Sequence, residues 1–86
     1  MLIEINLLRG DKMSLCEGKI GETYRILDIK IDDKMKHRLE VMGLTNNTQI
    51  EILNRNVNGS LILKVRGTRF AISKKIAKGI EVMIKL

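Results

Sequence analysis

Apolar and polar residues alternate along most of the chain after residue 22, and this pattern predicts a mainly β protein. Five segments show the alternation or an equivalent apolar run: residues 24–31, 48–54, 61–66, 70–73 and 80–86. In the first of them, Ile26 falls on the side opposite to Leu27 and Ile29, which indicates either two covered faces or a bulge. Because closing a sheet removes edges that a small domain cannot protect, we expect a small five-stranded barrel.

One amphipathic helix is predicted to interrupt the strands within residues 32–47. Its apolar stripe recurs at i, i+4 and i+7, at Met35, Leu39 and Met42. Asp32 or Asp33 can cap the start, because a carboxylate accepts hydrogen bonds from the free amides of the first turn. Gly43 ends the helix, since a left-handed residue costs little without a Cβ. We expect the helix to cover one opening or face of the barrel.

The links between the later strands are short. Asn58-Gly59 is a strong hairpin signal, because both residues tolerate positive φ. Gly67-Thr68 is predicted to form a second tight turn. Residues 73–78 predict one short turn of helix before the last strand.

The first part of the chain is less regular. Residues 1–12 alternate weakly, which is typical of an extra short strand, of a mobile leader ahead of Met13, or of a strand donated to a neighbouring molecule. Residues 13–21 are predicted to be a loop that Leu15 and Ile20 anchor.

The composition narrows the class of protein. Eighty-six residues form one domain, and an apolar content of 44% argues against disorder. Cys16 is the single cysteine, so no internal disulfide is possible. No apolar run approaches the ~20 residues that span a bilayer, and the start does not resemble a signal peptide, so we expect a cytoplasmic protein without membrane insertion. The net charge of +6 favours an acidic partner: nucleic acid, an anionic membrane surface or a protein face.

Several short motifs together resemble the FeoA family, the small cytoplasmic component of bacterial ferrous iron transport. They are Leu15 and Gly21, Ile26, Arg38-Leu39 with Met42-Gly43-Leu44, Asn58-Gly59 with the strand that follows, Phe70-Ala71-Ile72, Ala77, Ile80 and Val82. Each motif is weak alone, but together they place an FeoA-like domain at residues 13–86, behind an N-terminal extension of residues 1–12. Asn46-Asn47 replaces a usual glycine, and Ser60-Leu61 lacks a frequent proline.

This resemblance implies an SH3-like barrel with one helix between its first and second strands and a short helical turn before its last. A related domain is the C-terminal domain of the DtxR-type metal-dependent repressors. By resemblance, the protein would be a non-enzymatic regulatory or docking protein, and its partner would be the cytoplasmic part of FeoB, a membrane permease with a GTPase domain. The residues themselves show no catalytic set. Two alternatives remain: a nucleic-acid-binding small barrel that uses a basic strand face, and a metal-sensing domain.

Five residues are candidates for contact with the partner: Tyr24, Arg38, Met42, Leu44 and Val57. Arg38 lies at the edge of the helix stripe, where it can either reach an acidic surface or pack its stem on the core. The other four are predicted to be exposed apolar side chains. Truncating Leu44 and Val57 is therefore predicted to weaken binding without unfolding the domain.

A basic patch is predicted on the third and fourth strands and the link after them. Its members are Lys64, Arg66, Arg69, Lys74, Lys75 and Lys78. The patch is either a solvated face or a site for an acidic protein or lipid headgroup. Nucleic acid is disfavoured, because binders of single strands usually add aromatic platforms and this chain has only Tyr24 and Phe70.

Cys16 is the one cysteine and His37 the one histidine that could ligate a metal in this chain. A protein metal site needs three or four converging ligands, which here would require carboxylates such as Glu17 or Glu22. We therefore expect no cofactor and no metal site, although ferrous iron or another divalent metal stays open as a ligand. We expect a monomer or a weak homo-oligomer.

Overall fold

The computed structural model describes residues 12–84, and they form an antiparallel six-stranded sheet with two helices. In chain order the elements are β1 (Met13–Ser14), a 3-10 turn (Leu15–Glu17), β2 (Thr23–Ile29), α1 (Asp33–Val41), β3 (Gln49–Arg55), β4 (Leu61–Val65), β5 (Thr68–Ile72), α2 (Lys74–Lys78) and β6 (Ile80–Ile84). The mainly β class, the five predicted strands and the two predicted helices are confirmed. The two-residue β1 is an additional strand, in a stretch that was predicted to be a loop.

The order of strands in the sheet is β1-β6-β2-β3-β4-β5. The last strand therefore does not lie at an edge of the sheet, because β6 is paired between β1 and β2. Met13 pairs with Val82 and Ser14 pairs with Glu81, so the first described strand lies directly beside the last one. The Ser14 hydroxyl adds a contact to the C-terminal half, because it lies 3.1 Å from the carbonyl oxygen of Ala77 at the end of α2.

A bulge in β2 explains its apparent double-sided pattern. The register against β6 shifts between Ile26 and Asp28. Because one residue is inserted there, the inward side changes parity, and both Ile26 and Ile29 are buried. Of the two readings that the sequence left open, the bulge is confirmed.

The two hairpins differ from the prediction in detail. Between β3 and β4 only Gly59 has a positive φ, of 90°, and the loop closes through Asn56 N–H to the Ser60 carbonyl oxygen at 2.9 Å. Between β4 and β5 the turn residues are Arg66, with φ 52°, and Gly67, with φ 83°. The predicted Gly67-Thr68 turn is thus wrong by one residue. In the sequence, apolar and polar residues alternate through Arg66, so the pattern did not indicate that the strand ends at Val65.

Helix α1 begins and ends as its sequence predicts. The Asp32 carboxylate accepts a hydrogen bond from Met35 N–H at 2.9 Å. Gly43 has φ 98°, and after it Leu44 N–H bonds back to the Leu39 carbonyl oxygen at 2.9 Å. Asn47 adopts φ 70°, so it supplies a left-handed residue in the turn before β3.

The core is formed mainly by side chains from the 3-10 turn, strands β2 to β6 and both helices. Its buried apolar members are Leu15, Tyr24, Ile26, Ile29, Leu39, Leu44, Ile50, Ile52, Leu61, Leu63, Val65, Ile72, Ala77, Ile80 and Val82. Helix α1 contributes only Leu39 to this list, while Met35 is half-buried and Met42 is exposed. The helix therefore inserts only one side chain of its three-residue apolar stripe fully into the core, where the sequence predicted that the stripe would cover the barrel.

The 3-10 turn after β1 is held in place by one buried side chain and by hydrogen bonds from an arginine. Leu15 is fully buried, as predicted, but the second predicted anchor, Ile20, is 54% exposed. An arginine replaces it: the Arg55 guanidinium donates to the carbonyl oxygens of Cys16, at 3.1 Å, and of Gly18, at 2.6 Å. Nothing in the local sequence pattern predicts this contact, because it joins residues 37 or more positions apart.

Removing the cap of α1 tests its contribution. Asp32→Ala is expected to lower the free energy of unfolding by about 1 kcal/mol, because the Met35 amide loses its acceptor. Urea denaturation measures this change. Asp33→Ala is the matched control, since that neighbouring carboxylate caps no amide. An equal loss in both variants would show that helix charge, and not the cap, stabilises this end.

Residues 1–11 and 85–86 lie outside the described part of the chain. The prediction of a strand or leader over residues 1–12, the division of the chain at residue 12 and the last two residues of the sixth strand therefore stay predictions.

Candidate docking surface

Two of the five predicted contact residues are in the core. Tyr24 is 2% exposed, and its hydroxyl oxygen accepts a hydrogen bond from Lys19 N–H at 2.8 Å. Leu44 has no exposed surface and belongs to the buried core. The prediction that these two side chains are exposed is wrong, and neither can touch a partner in the folded domain.

Arg38 and Met42 do lie on the surface, as predicted. They share the C-terminal end of α1 with Val41, which is 76% exposed. We call these three residues the helix-exit patch. Val41 was missed by the sequence analysis, although its position two residues after buried Leu39 places it on the far side of the helix.

Val57 is fully exposed in the loop between β3 and β4. Its loop approaches α2, because a Cβ built at Gly59 would lie 2.8 Å from the Lys74 side chain. Val57 lines neither of the cavities that Met35 and Ile76 share. The structure therefore does not join it to the helix-exit patch.

A groove runs between the two helices and is open to solvent. It consists of two cavities, of about 490 and 190 Å³, which share Met35, Ser73 and Ile76. The larger one extends to Ile31 and Gly79, and the smaller one extends to the residues Arg38, Leu39, Met42, Ala71 and Ile72. We call the two together the interhelix groove. It exists because α1 buries only Leu39 and leaves Met35 half-covered.

The predicted basic patch is exposed at all six positions, but it divides into two groups. Lys64 and Arg69 are cross-strand neighbours on β4 and β5, with Arg66 in the turn beyond them. Arg66 is thus not on the third predicted strand, residues 61–66, because β4 ends at Val65. The second group is on α2, at Lys74, Lys75 and Lys78. The one phenylalanine, Phe70, is half-buried against the core, so it offers no open platform for a base.

The candidate metal ligands stay apart. Within residues 12–84 no three His, Cys, Asp or Glu side chains lie close enough to hold a metal ion. Cys16 is half-buried with its Sγ 3.1 Å from the Ser14 hydroxyl, and His37 is exposed on α1. A ligand role for either residue therefore has no support from the geometry.

The family follows from comparison with known proteins. The FeoA domain model matches residues 13–84, which is most of the chain. The chain belongs to the FeoA family. No curated protein shows significant similarity to it.

Solved structures agree with this assignment. A crystal structure of an iron uptake regulatory protein (FeoA) is 30% identical with a TM-score of 0.77, over 86% of this chain and 97% of that one. An FeoA-like protein from Clostridium acetobutylicum is 26% identical, also with a TM-score of 0.77, over 88% of this chain and 90% of that one. The predicted SH3-like fold is thereby confirmed.

The same fold occurs inside longer proteins. A manganese-dependent transcriptional repressor matches with a TM-score of 0.79 at 17% identity, over 86% of this chain and 42% of that one. At this identity the match shows a shared fold and nothing about metal or DNA. None of the helices within residues 12–84 has the length and apolar character needed to cross a membrane.

Proposed function

We propose that this protein is a non-enzymatic docking protein of bacterial ferrous iron uptake, which acts in the cytoplasm by binding the cytoplasmic part of an FeoB-like permease. The observation that carries the proposal is the FeoA match over residues 13–84, because it accounts for nearly all of the described chain. An iron uptake regulatory protein is among the similar structures, and it is matched over 97% of its length.

The helix-exit patch is the surface that fits this role best. Val41 is 76% exposed and Met42 is 45% exposed, and burying such apolar surface against a partner is favourable. Arg38 lies beside them, and arginine next to a small apolar centre is typical of the residues that dominate protein interfaces. Docking there regulates the permease only if the patch binds one of its conformations more tightly than the other.

A binding titration tests the proposal. The purified cytoplasmic region of the permease is titrated with the full chain by calorimetry. Wild type is expected to bind, and replacing Val41 and Met42 together by serine is expected to weaken binding about tenfold, the cost of removing a central apolar contact. The matched control is Ile20→Ser, an exposed apolar side chain outside the patch.

Two results would count against this function. Absence of any heat of binding with wild type at tens of micromolar, at two temperatures about 15 °C apart, would contradict a docking role on this permease, because apolar burial changes the heat capacity and cannot be silent at both. Binding of single-stranded RNA with an affinity that falls steeply with salt would favour the nucleic-acid alternative, because phosphate contacts release counterions. Arg66→Ala and Arg69→Ala would then weaken the RNA affinity.

A further inference from the structure

The interhelix groove offers an apolar wall that nothing in residues 12–84 covers. Ile31, Met35 and Ile76 are each half-buried along it, and Met42 is exposed at its end. Two of these four are methionines, whose unbranched, polarisable side chains adapt to different guests. The larger cavity, of about 490 Å³, has the size of a site for a few inserted side chains.

The charges around the groove have one predominant sign. Its charged lining residues are Lys30, Asp32, Arg38 and Lys75. Lys30 is paired with Glu81 at 3.5 Å. Arg38 and Lys75 form no ion pair with any acidic side chain in residues 12–84, and both are exposed. Two cations of the rim are therefore available to a ligand.

Two polar groups of the groove cap its helices. The Asp32 carboxylate accepts from Met35 N–H at 2.9 Å, and the Ser73 hydroxyl oxygen accepts from Ile76 N–H at 3.2 Å. The Ser73 hydroxyl keeps its O–H as a donor, which a carboxylate of a ligand can accept. What remains is an apolar wall with a positive rim, which fits apolar side chains that have carboxylates next to them.

We propose that the interhelix groove binds a short acidic segment of the partner polypeptide, with its apolar side chains between Met35 and Ile76 and its carboxylates against Arg38 and Lys75. The identity of that partner rests on the proposed function. A nucleic acid fits less well, because no aromatic side chain lines the groove for stacking.

The first test uses a probe that does not depend on the permease. The six-residue peptide acetyl-EELFEE-amide is titrated into the full chain, and methyl NMR signals of Met35, Met42 and Ile76 are followed. These signals are expected to shift saturably. The neutral peptide acetyl-QQLFQQ-amide is expected to bind at least about fivefold more weakly, because it has no charge for the rim cations.

Two variants link the binding to the groove. Lys75→Glu is expected to weaken peptide affinity about fivefold or more, whereas Lys74→Glu, on the same helix but outside the groove lining, is expected to leave it unchanged. Ala71→Trp fills the smaller cavity from an exposed position on β5, so it is expected to block the peptide while the domain stays folded. Thermal unfolding of each variant verifies the fold.

Three results would overturn the inference. The first is peptide binding that shifts only signals outside the groove, or none at all. The second is an equal effect of Lys74→Glu and Lys75→Glu. The third is a shift of the groove signals without any peptide when Ile3, Ile5 and Leu7 are replaced by serine in the full chain, because the chain's own N-terminal residues would then be the occupant.

The outcome for the groove is separate from the outcome for the proposed function. If the permease region binds wild type and Lys75→Glu equally well, the groove is not the docking site although the function stands. If the acidic peptide binds in the groove and the permease region does not bind at all, the groove site is supported and the proposed function fails.

Discussion

Leu44→Ala is expected to lower the free energy of unfolding by about 3 kcal/mol. Leu44 has no exposed surface and belongs to the core, and truncating such a leucine removes its burial and leaves a cavity. For a domain of this size that is a large part of the total stability. Urea denaturation with a constant m-value measures it.

Val57→Ala is the control for this change. Val57 is fully exposed, so its truncation is expected to alter the free energy of unfolding by less than about 0.5 kcal/mol. A change of that small size in Leu44→Ala would contradict its burial. The double truncation suggested by the sequence thus cannot test a docking surface by itself, because the loss of stability at Leu44 confounds any loss of binding.

Gly79→Ala is expected to lower the free energy of unfolding by about 2 kcal/mol, the second-largest effect. A Cβ at this position would lie 2.8 Å from the Lys30 carbonyl oxygen and closer still to the Ile31 side chain. The backbone must move to relieve this clash, and Lys30 N–H is held there by its bond to the Gly79 carbonyl oxygen at 2.6 Å. Thermal unfolding monitored by circular dichroism measures the loss.

Gly21→Ala separates this packing effect from backbone conformation. Gly21 has φ 89° but open space around it, so alanine there meets only the cost of a left-handed residue, about 1 kcal/mol. Gly79 does not have a positive φ, and its substitution acts through contact alone. If Gly79→Ala destabilised the domain no more than Gly21→Ala does, the backbone at Lys30 would have room for a Cβ at residue 79, which would contradict the predicted clash.

The parts of the fold that follow from short-range pattern were predictable from the sequence. Alternation located β3 to β6, and the Asp32 cap and Gly43 located α1, because each depends on residues that are neighbours in the chain. The strand β1 was not predictable in this way. It is two residues long, and it exists only through its pairing with β6 from the other end of the domain.

The candidate surface was harder to predict, since burial outside regular elements depends on where the chain goes next. Leu44 follows the end of a helix, and Tyr24 lies at the start of a strand. Neither residue therefore has a repeating pattern of apolar positions on both sides from which its burial could be predicted. Only the packed structure shows that both face the core. The interhelix groove also could not be predicted, because it lies between elements that are more than thirty residues apart in the chain.

The pairing of β1 with β6 has a consequence for how such a domain is used. Because Met13 lies opposite Val82, the chain enters and leaves the domain at one place. A domain of this kind can be attached to another protein through a single point without disturbing the rest of its surface. The same fold occupies 42% of the chain of the manganese-dependent transcriptional repressor. Carrier proteins or labels fused at either end of residues 13–84 are expected to leave the helix-exit patch accessible.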